Sequence, residues 1–225
     1  MSIIQTLYKT VLDALFPISK VEEEVLSMDA QTAFVSLPRA RNFPIHEATS
    51  IFSYKNEFVW RLIWCIKYKR SIPASRIAAY SLFQILQTYT QAASPIILIP
   101  MPITSRRRRE RGFNQCELLA DELEIFINKS NSTNITVIRD LLFRTQHKSR
   151  QTLKDRKSRL ESTHEIFSIN RHVAEKLKRE LDQHTPKHLI LVIDDVITTG
   201  STILEAINIL RQNGLTQTFG LSVAH

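Results

Sequence analysis

Two adjacent carboxylates followed by a cluster of hydroxyl groups are the residues most clearly suited to chemistry. Asp194 and Asp195 directly follow the apolar run 189–193, and residues 198–202 supply three threonines, one serine and one glycine. The apolar run, mostly β-branched, predicts a strand buried on both faces, as in a parallel sheet covered by helices. Ligands of such sheets bind at the carboxyl ends of the strands. The pattern therefore predicts a ligand site at residues 194–202.

The segment after the carboxylates predicts a phosphate-binding turn. Ile203, Ile207 and Leu210 share one helical face, and Asn213-Gly214 is typical of a helix end. A helix start binds phosphate through its backbone N–H groups. A buried strand that merely ends in a polar loop would explain the apolar run but not the two carboxylates. The predicted phosphate ligands are Thr198, Thr199, Gly200, Ser201 and Thr202.

The positions of the glycines exclude two other kinds of phosphate site. The chain has four glycines, at 112, 200, 214 and 220. Neither a P-loop nor the glycine-rich turn of dinucleotide-binding proteins can be drawn from them.

Positive charge is concentrated in one part of the chain. The net charge is +8, and residues 101–160 carry fourteen Lys/Arg against seven Asp/Glu, a net +7. This segment therefore predicts a polyanionic ligand, for which pyrophosphate and nucleic acid both qualify.

Apolar strands alternate with amphipathic helices, which predicts an α/β fold with a mainly parallel sheet flanked by helices. We expect an N-terminal helix and accessory region at 1–49 and the main domain at 50–225. Residues 144–163, with seven Lys/Arg, are interpreted as a mobile basic loop. Predicted strands cover 51–54, 96–99, 135–138 or 141–143, 166–169, 189–193 and 219–224, and residues 101–115 are predicted to be a loop.

Residues 2–15 form an apolar stripe interrupted by Lys9 and Asp13, which favours an amphipathic helix over a signal or a membrane span. A helix docked on the domain is the main interpretation, and a helix on a membrane surface is the alternative. We expect a cytoplasmic protein. Cys65 and Cys116 are the only cysteines, and both are interpreted as core thiols.

The strand, acidic pair and hydroxyl-rich turn together resemble the phosphoribosyl pyrophosphate (PRPP) signature of type I phosphoribosyltransferases. The chain further resembles the ComF family of competence-associated, phosphoribosyltransferase-like proteins over about residues 50–224. The motifs that carry this resemblance are Tyr54, Lys67-Tyr68, Pro100-Met101-Pro102, Arg111-Gly112-Phe113-Asn114-Gln115, Gln151, Phe167 and residues 194–202.

The resemblance implies a division of roles at the site. Residues 198–202 would hold the 5-phosphate, while Asp194 and Asp195 would act in catalysis, facing the ribose hydroxyls and holding Mg²⁺ through water. The pyrophosphate would lie against Met101, Pro102, Ile103, Thr104 and Arg111. We expect any hood that recognises the acceptor to come from residues 20–95, with Tyr54 and Trp60 as candidates for stacking.

Two readings of the function remain open at this stage. One is a transferase that releases pyrophosphate from PRPP in a Mg²⁺-dependent reaction with an unidentified acceptor. The other is an accessory protein that binds PRPP without turnover or handles single-stranded DNA during uptake, with DNA-uptake proteins as partners. The nucleic-acid candidates are Arg106, Arg107, Arg108, Arg109, Arg150 and Arg156, although a solvated surface explains the arginine run equally well.

The chain departs from the family pattern in two places. Family members commonly carry a four-cysteine zinc module after a Phe-Pro pair, but here Phe16-Pro17 is followed by no cysteine before Cys65. We therefore expect no zinc. A predicted helix at 171–184 stands where relatives usually have a short connection.

Overall fold

The computed structural model describes residues 20–41, 45–90, 95–144, 167–182 and 188–225. The strands are β1 (Ala48–Phe52), β2 (Ile96–Pro100), β3 (Ile135–Val137), β4 (Leu142–Arg144), β5 (Phe167–Ile169), β6 (Leu189–Val196) and β7 (Thr218–Ala224). Five of them form a sheet in the order β1-β7-β6-β2-β3, in which every pair is parallel. β4 and β5 form a separate antiparallel pair.

Helices flank the sheet. They are α1 (Lys20–Ser27), α2 (Ala30–Ser36), α3 (Glu57–Trp64), α4 (Ile72–Thr90), α5 (Ser105–Arg111), α6 (Gln115–Lys129), α7 (Arg171–Asp182) and α8 (Ser201–Gln212). A π-helical segment, Cys65–Lys69, continues α3 without a break. α3 is capped by Asn56, whose side chain accepts hydrogen bonds from the backbone N–H groups of Phe58 and Val59.

Both faces of the sheet are covered, as the continuous apolar strands predict. Along β2, Ile96 and Leu98 pack into one core with α4 and α6. Ile97 and Ile99 point to the opposite face and pack into a second core with α7 and α8. The predicted α/β class with a mainly parallel, helix-flanked sheet is confirmed.

The accessory region is more regular than its sequence indicates. Residues 20–36 form α1 and α2, and Val25, Ala33 and Leu37 belong to the same core as α3 and α4. The predicted helix at 2–15 lies outside the described residues, and the division at residue 50 stays a prediction.

Three elements at the carboxyl edge of the sheet differ from expectation. β6 continues through both aspartates to Val196, because it stays paired with β7 as far as Val196 and Ala224. The predicted loop 101–115 contains α5, which begins after Thr104 and ends at Gly112. The predicted alternatives 135–138 and 141–143 both contain strands, β3 and β4, but only β3 joins the main sheet. Most of the predicted basic loop, residues 145–163, lies outside the described residues.

Among the described residues, no helix has the length and apolar character needed to cross a membrane.

Candidate functional site

The parallel register brings the two predicted ligand loops to one edge of the sheet. Pro100 at the end of β2 pairs with Ile193 of β6, and the backbone N–H of Met101 donates to the Ile193 carbonyl at 2.8 Å. A cavity of about 360 Å³ lies at this edge. It is lined by Lys67, Tyr68, Met101, Pro102, Ile103, Arg107, Arg111, Gln115, Arg144 and residues 194–203.

The two carboxylates have different surroundings. Asp195 is 2% exposed, and its Oδ2 lies 2.9 Å from the Lys67 ammonium. Asp194 is half-buried, and its Oδ1 accepts hydrogen bonds from the Asp195 backbone N–H at 2.9 Å and the Cys116 thiol at 3.4 Å. Burial and the negative charge of Asp195 raise the pKa of Asp194 well above its ordinary value. Asp195 is therefore the carboxylate with a cationic partner, and Asp194 is the one held by neutral donors.

Lys67 comes from the π-helical segment Cys65–Lys69 and lines the pocket. Burial lowers the pKa of its ammonium group, but the Asp195 carboxylate outweighs burial, and the net shift is upward. Lys67 therefore stays charged at neutral pH. The adjacent Tyr68 also lines the pocket, so the π-helix turns two consecutive side chains toward the site. π-Helical turns are rare and are frequent at functional sites.

The hydroxyl-rich turn ends at the start of α8. Gly200 has a φ of +82°, and a Cβ at this position would lie 1.6 Å from Ile45 Cδ1, so the turn requires glycine. The hydroxyls of Thr199 and Ser201 are 3.2 Å apart. The first N–H groups of α8 have no acceptor within the helix, so the turn presents unpaired donors at the pocket.

The loop after β2 is fixed by Asn114, which is 2% exposed. Its Nδ2 donates to the Met101 carbonyl at 3.1 Å, and its Oδ1 accepts from the Cys116 backbone N–H at 3.0 Å. Arg111 donates to the Gln115 side-chain oxygen at 3.2 Å and lies over the Tyr68 ring, 5.2 Å from its centroid. Residues 111–115 therefore hold the loop and the guanidinium group in place.

The structure separates the predicted pyrophosphate ligands into two groups. Met101, Pro102, Ile103 and Arg111 line the cavity, whereas Thr104 does not. The Thr104 hydroxyl instead accepts a hydrogen bond from the Arg107 backbone N–H and caps α5. All five predicted phosphate ligands, residues 198–202, line the cavity together with both carboxylates.

The arginines of α5 do not act as one patch. Arg107 lines the cavity, whereas Arg106 pairs with Glu110 at 2.7 Å and Arg108 pairs with Glu117. Arg108 and Arg109 border a neighbouring groove of about 460 Å³, which also contains Arg139, Arg144 and the exposed Phe143. Arg150 and Arg156 lie outside the described residues.

The two aromatic candidates occupy different places. Tyr54 does not line the cavity but lies close enough to Lys67 and Asp195 to interact electrostatically with both, and burial raises the pKa of its hydroxyl. Trp60 is 38% exposed, is not part of the cavity wall, and lies under the guanidinium of Arg61 at 4.9 Å from its ring centroid.

The carboxylates offer a partial fit to a divalent cation. Within the described ranges, ligand atoms of Cys116, Asp194 and Asp195 lie within 4.8 Å of one another. The oxygens suit Mg²⁺, but the thiol does not, because burial and the two carboxylates raise the pKa of Cys116 well above its ordinary value. The Lys67 ammonium also occupies the cationic position beside Asp195. Asp194 and Asp195 are therefore the residues that would hold Mg²⁺.

Sequence reasoning gave no individual role to Lys67, Asn114 or Gln115, and it interpreted Cys116 only as a core thiol and Arg144 only as part of the basic loop. Lys67, Asn114 and Gln115 lie in motifs already noted in the sequence, and the near-complete burial of Asn114 and Gln115 shows that these two serve the local framework. Arg144 ends β4 and lines the cavity, where burial, followed by repulsion from Arg107, lowers the pKa of its guanidinium.

Comparison with known proteins identifies several relatives of this chain. Competence protein F of Haemophilus influenzae is 32% identical over 136 residues, which is 60% of this chain and 53% of that protein. This similarity supports membership of the chain in the ComF family. Another relative is DNA utilization protein YhgH of Salmonella typhi, 30% identical over 65% of this chain and 57% of that protein. Competence protein ComFC of Bacillus subtilis is 30% identical over 52% of this chain and 39% of that protein.

The chain therefore spans about half the length of the relatives that it matches. No protein-family model matches the chain.

Proposed function

We propose that the cavity binds PRPP together with Mg²⁺ and that the protein is a phosphoribosyltransferase-like member of the ComF family that acts in DNA uptake. The observation that carries this proposal is the convergence of an acidic pair, a helix start and basic side chains on one cavity of about 360 Å³. A ligand with a phosphate, sugar hydroxyls and a second anionic group offers a partner to each of these three features.

Each part of the ligand has a complementary part of the cavity. Residues 198–202 offer hydroxyls and free N–H groups to the 5-phosphate. Asp194 and Asp195 accept hydrogen bonds from the ribose hydroxyls. Arg107 and Arg111, which also line the cavity, neutralise the pyrophosphate beside the loop Met101–Ile103.

The reaction that this arrangement supports is a displacement at the anomeric carbon. A nitrogen nucleophile forms the new bond to that carbon while the bond to the pyrophosphate oxygen breaks, and pyrophosphate leaves with the electron pair. The transition state carries positive charge on the ribose ring, which the nearby carboxylates stabilise. Bound Mg²⁺ would supply further neutralisation of the pyrophosphate. Binding of the remote 5-phosphate fixes the reacting carbon in place.

Isothermal titration with PRPP, with and without Mg²⁺, tests the proposal. We expect Mg²⁺-dependent binding that is lost in the double variant Asp194→Asn, Asp195→Asn and retained in Asp121→Asn, an α6 carboxylate outside the cavity. Pyrophosphate alone and ribose 5-phosphate alone separate the subsites, because Arg111→Gln should weaken only the first. Absence of binding at millimolar PRPP by the wild-type protein would overturn the proposal.

A second function is favoured by the groove beside the cavity. The relatives named for competence and DNA utilization connect the family with DNA. Arg108, Arg109 and the 46% exposed Phe143 combine guanidinium groups with an aromatic ring, the combination that binds single strands. We propose that this groove contacts single-stranded DNA.

Fluorescence anisotropy with a labelled single-stranded oligonucleotide tests this function. We expect affinity that falls steeply with salt and drops in an Arg109→Gln, Phe143→Ala variant, whereas Lys129→Gln, an exposed lysine at the end of α6, leaves it unchanged. Equal affinity in the two variants would exclude the groove as the binding surface.

A further inference from the structure

The Lys67 ammonium stands at the point where the acidic pair would hold a cation. Its Nζ lies 2.9 Å from Asp195 Oδ2, so the two groups form a short ion pair. The Asp195 side chain is 3% exposed, so its charge needs a cation close by.

The position of Lys67 shows that the pair does more than join two layers of the fold. Both members line the cavity, and the Lys67 side chain keeps 21% of its surface exposed there. The neighbouring Lys69 differs from Lys67 in its partner. It pairs at 2.8 Å with Glu22, which is 1% exposed and lies outside the cavity wall. One lysine of the π-helical segment therefore joins helices, and the other reaches the ligand site.

A lysine suits an exchangeable counter-ion. Its ammonium is a compact charge on a flexible four-carbon chain, unlike the planar guanidinium of arginine. The other cationic side chains of the cavity, Arg107, Arg111 and Arg144, have no ion pair with Asp195 within the described ranges. Lys67 can leave Asp195 for a phosphate oxygen by rotation of its own side chain.

We propose that Lys67 is a resident counter-ion of Asp195 that competes with a divalent cation for this carboxylate. In the ligand-free protein, Lys67 keeps Mg²⁺ away from the acidic pair. When an anionic phosphate ligand enters with its cation, Lys67 moves from Asp195 to the ligand. This second step rests on the proposed function, whereas the first concerns the ligand-free protein alone.

Thermal unfolding of the ligand-free protein, with MgCl₂ titrated against NaCl of matched ionic strength, tests the first step. We expect a wild-type Tm that Mg²⁺ leaves unchanged. Lys67→Gln should lower the Tm in the absence of Mg²⁺ and recover it as Mg²⁺ binds, with an affinity for Mg²⁺ on the order of tenfold or more above wild type. Lys67→Arg should behave as wild type, and Lys55→Gln, an exposed lysine outside the cavity, serves as the matched control.

The double variant Lys67→Gln, Asp195→Asn removes both charges and keeps the test valid if the single variant fails to fold. It should unfold at a higher temperature than Lys67→Gln and give no response to Mg²⁺. A Lys67→Gln protein whose Tm ignores Mg²⁺, or a wild-type protein that responds equally, would overturn the proposal.

Titration with PRPP separates this outcome from failure of the proposed function. If ligand-free Lys67→Gln gives no Mg²⁺ response while the wild type binds PRPP, only the counter-ion role of Lys67 is refuted. If Lys67→Gln responds to Mg²⁺ but the wild type does not bind PRPP, only the proposed PRPP binding is refuted.

Discussion

The ion pair Lys67–Asp195 and the arginine helix α5 show two ways in which positive charge is arranged near one edge of the sheet. Lys67 is largely buried, faces a carboxylate that is 2% exposed, and has a raised pKa because that carboxylate outweighs burial. Arg106 is 79% exposed in its side chain and pairs with Glu110 one turn away on the same helix. The two pairs therefore differ in the burial of the carboxylate: Asp195 is buried beside Lys67, whereas Glu110 is exposed to solvent beside Arg106.

The distribution of net charge along the sequence does not identify the cation at the acidic pair. Residues 101–160 carry nearly all of the excess positive charge, yet the cation in contact with the acidic pair comes from residue 67, outside that segment. On α5, only Arg107 and Arg111 line the cavity, while Arg106 and Arg108 are matched by glutamates. The contribution of a charge to the site thus depends on which partners the fold places beside it.

The largest effect is expected where the buried pair loses one member. Asp195→Asn leaves the Lys67 ammonium without its carboxylate, and we expect the free energy of unfolding to fall by about 3 kcal/mol, as in other broken buried ion pairs. Urea denaturation of this variant and of Asp121→Asn, an exposed carboxylate in an ion pair with Arg139, measures the difference. A loss as small as that of the control would show that Lys67–Asp195 behaves as a surface pair.

A smaller change in the free energy of unfolding, of opposite sign, is expected at Asp194. Asp194→Asn removes a carboxylate whose pKa is raised by burial and by Asp195, and an amide oxygen can still accept the bonds from Cys116 and the Asp195 backbone. We expect a gain of about 1 kcal/mol at neutral pH, as is common when a site residue is relieved of strain or repulsion.

The pH dependence of this gain identifies its cause. A raised pKa in the folded state means that the Asp194 contribution to stability is fully present below the ordinary value of 3.8 and is lost as the pH rises through the folded value. The advantage of Asp194→Asn should therefore vanish near pH 3.8 and grow toward neutral pH in thermal unfolding. An advantage that is constant across this range would assign the gain to packing instead.

Contiguous features of the site could be predicted from the sequence, and features assembled from distant segments could not. β2 and β6 follow from uninterrupted apolar runs, and the turn 198–202 is a contiguous motif at the end of β6. Lys67 and Asp195 are separated by more than half of the chain, so no local pattern joins them. The contact of Cys116 with Asp194 depends in the same way on the packing of α6 against β6.

The helix α5 was missed for a different reason. Its sequence is almost entirely charged, so it has no apolar face from which a helical period could be recognised. Its ends carry the signal instead, because Thr104 caps the start and Gly112, with a φ of +81°, closes the end.

The smallest effect is expected for the exposed ion pair Arg106–Glu110. Arg106→Gln removes one member of an exposed pair four residues apart, and both side chains remain in solvent after the change. We expect no change in the free energy of unfolding beyond the error of urea denaturation, at low or at high salt. Glu110→Gln should behave in the same way, because neither side chain has a buried partner to leave uncompensated. A salt-dependent loss in either variant would mean that the arginines of α5 support one another as a network, and α5 would then resemble the buried pair more than its exposure indicates.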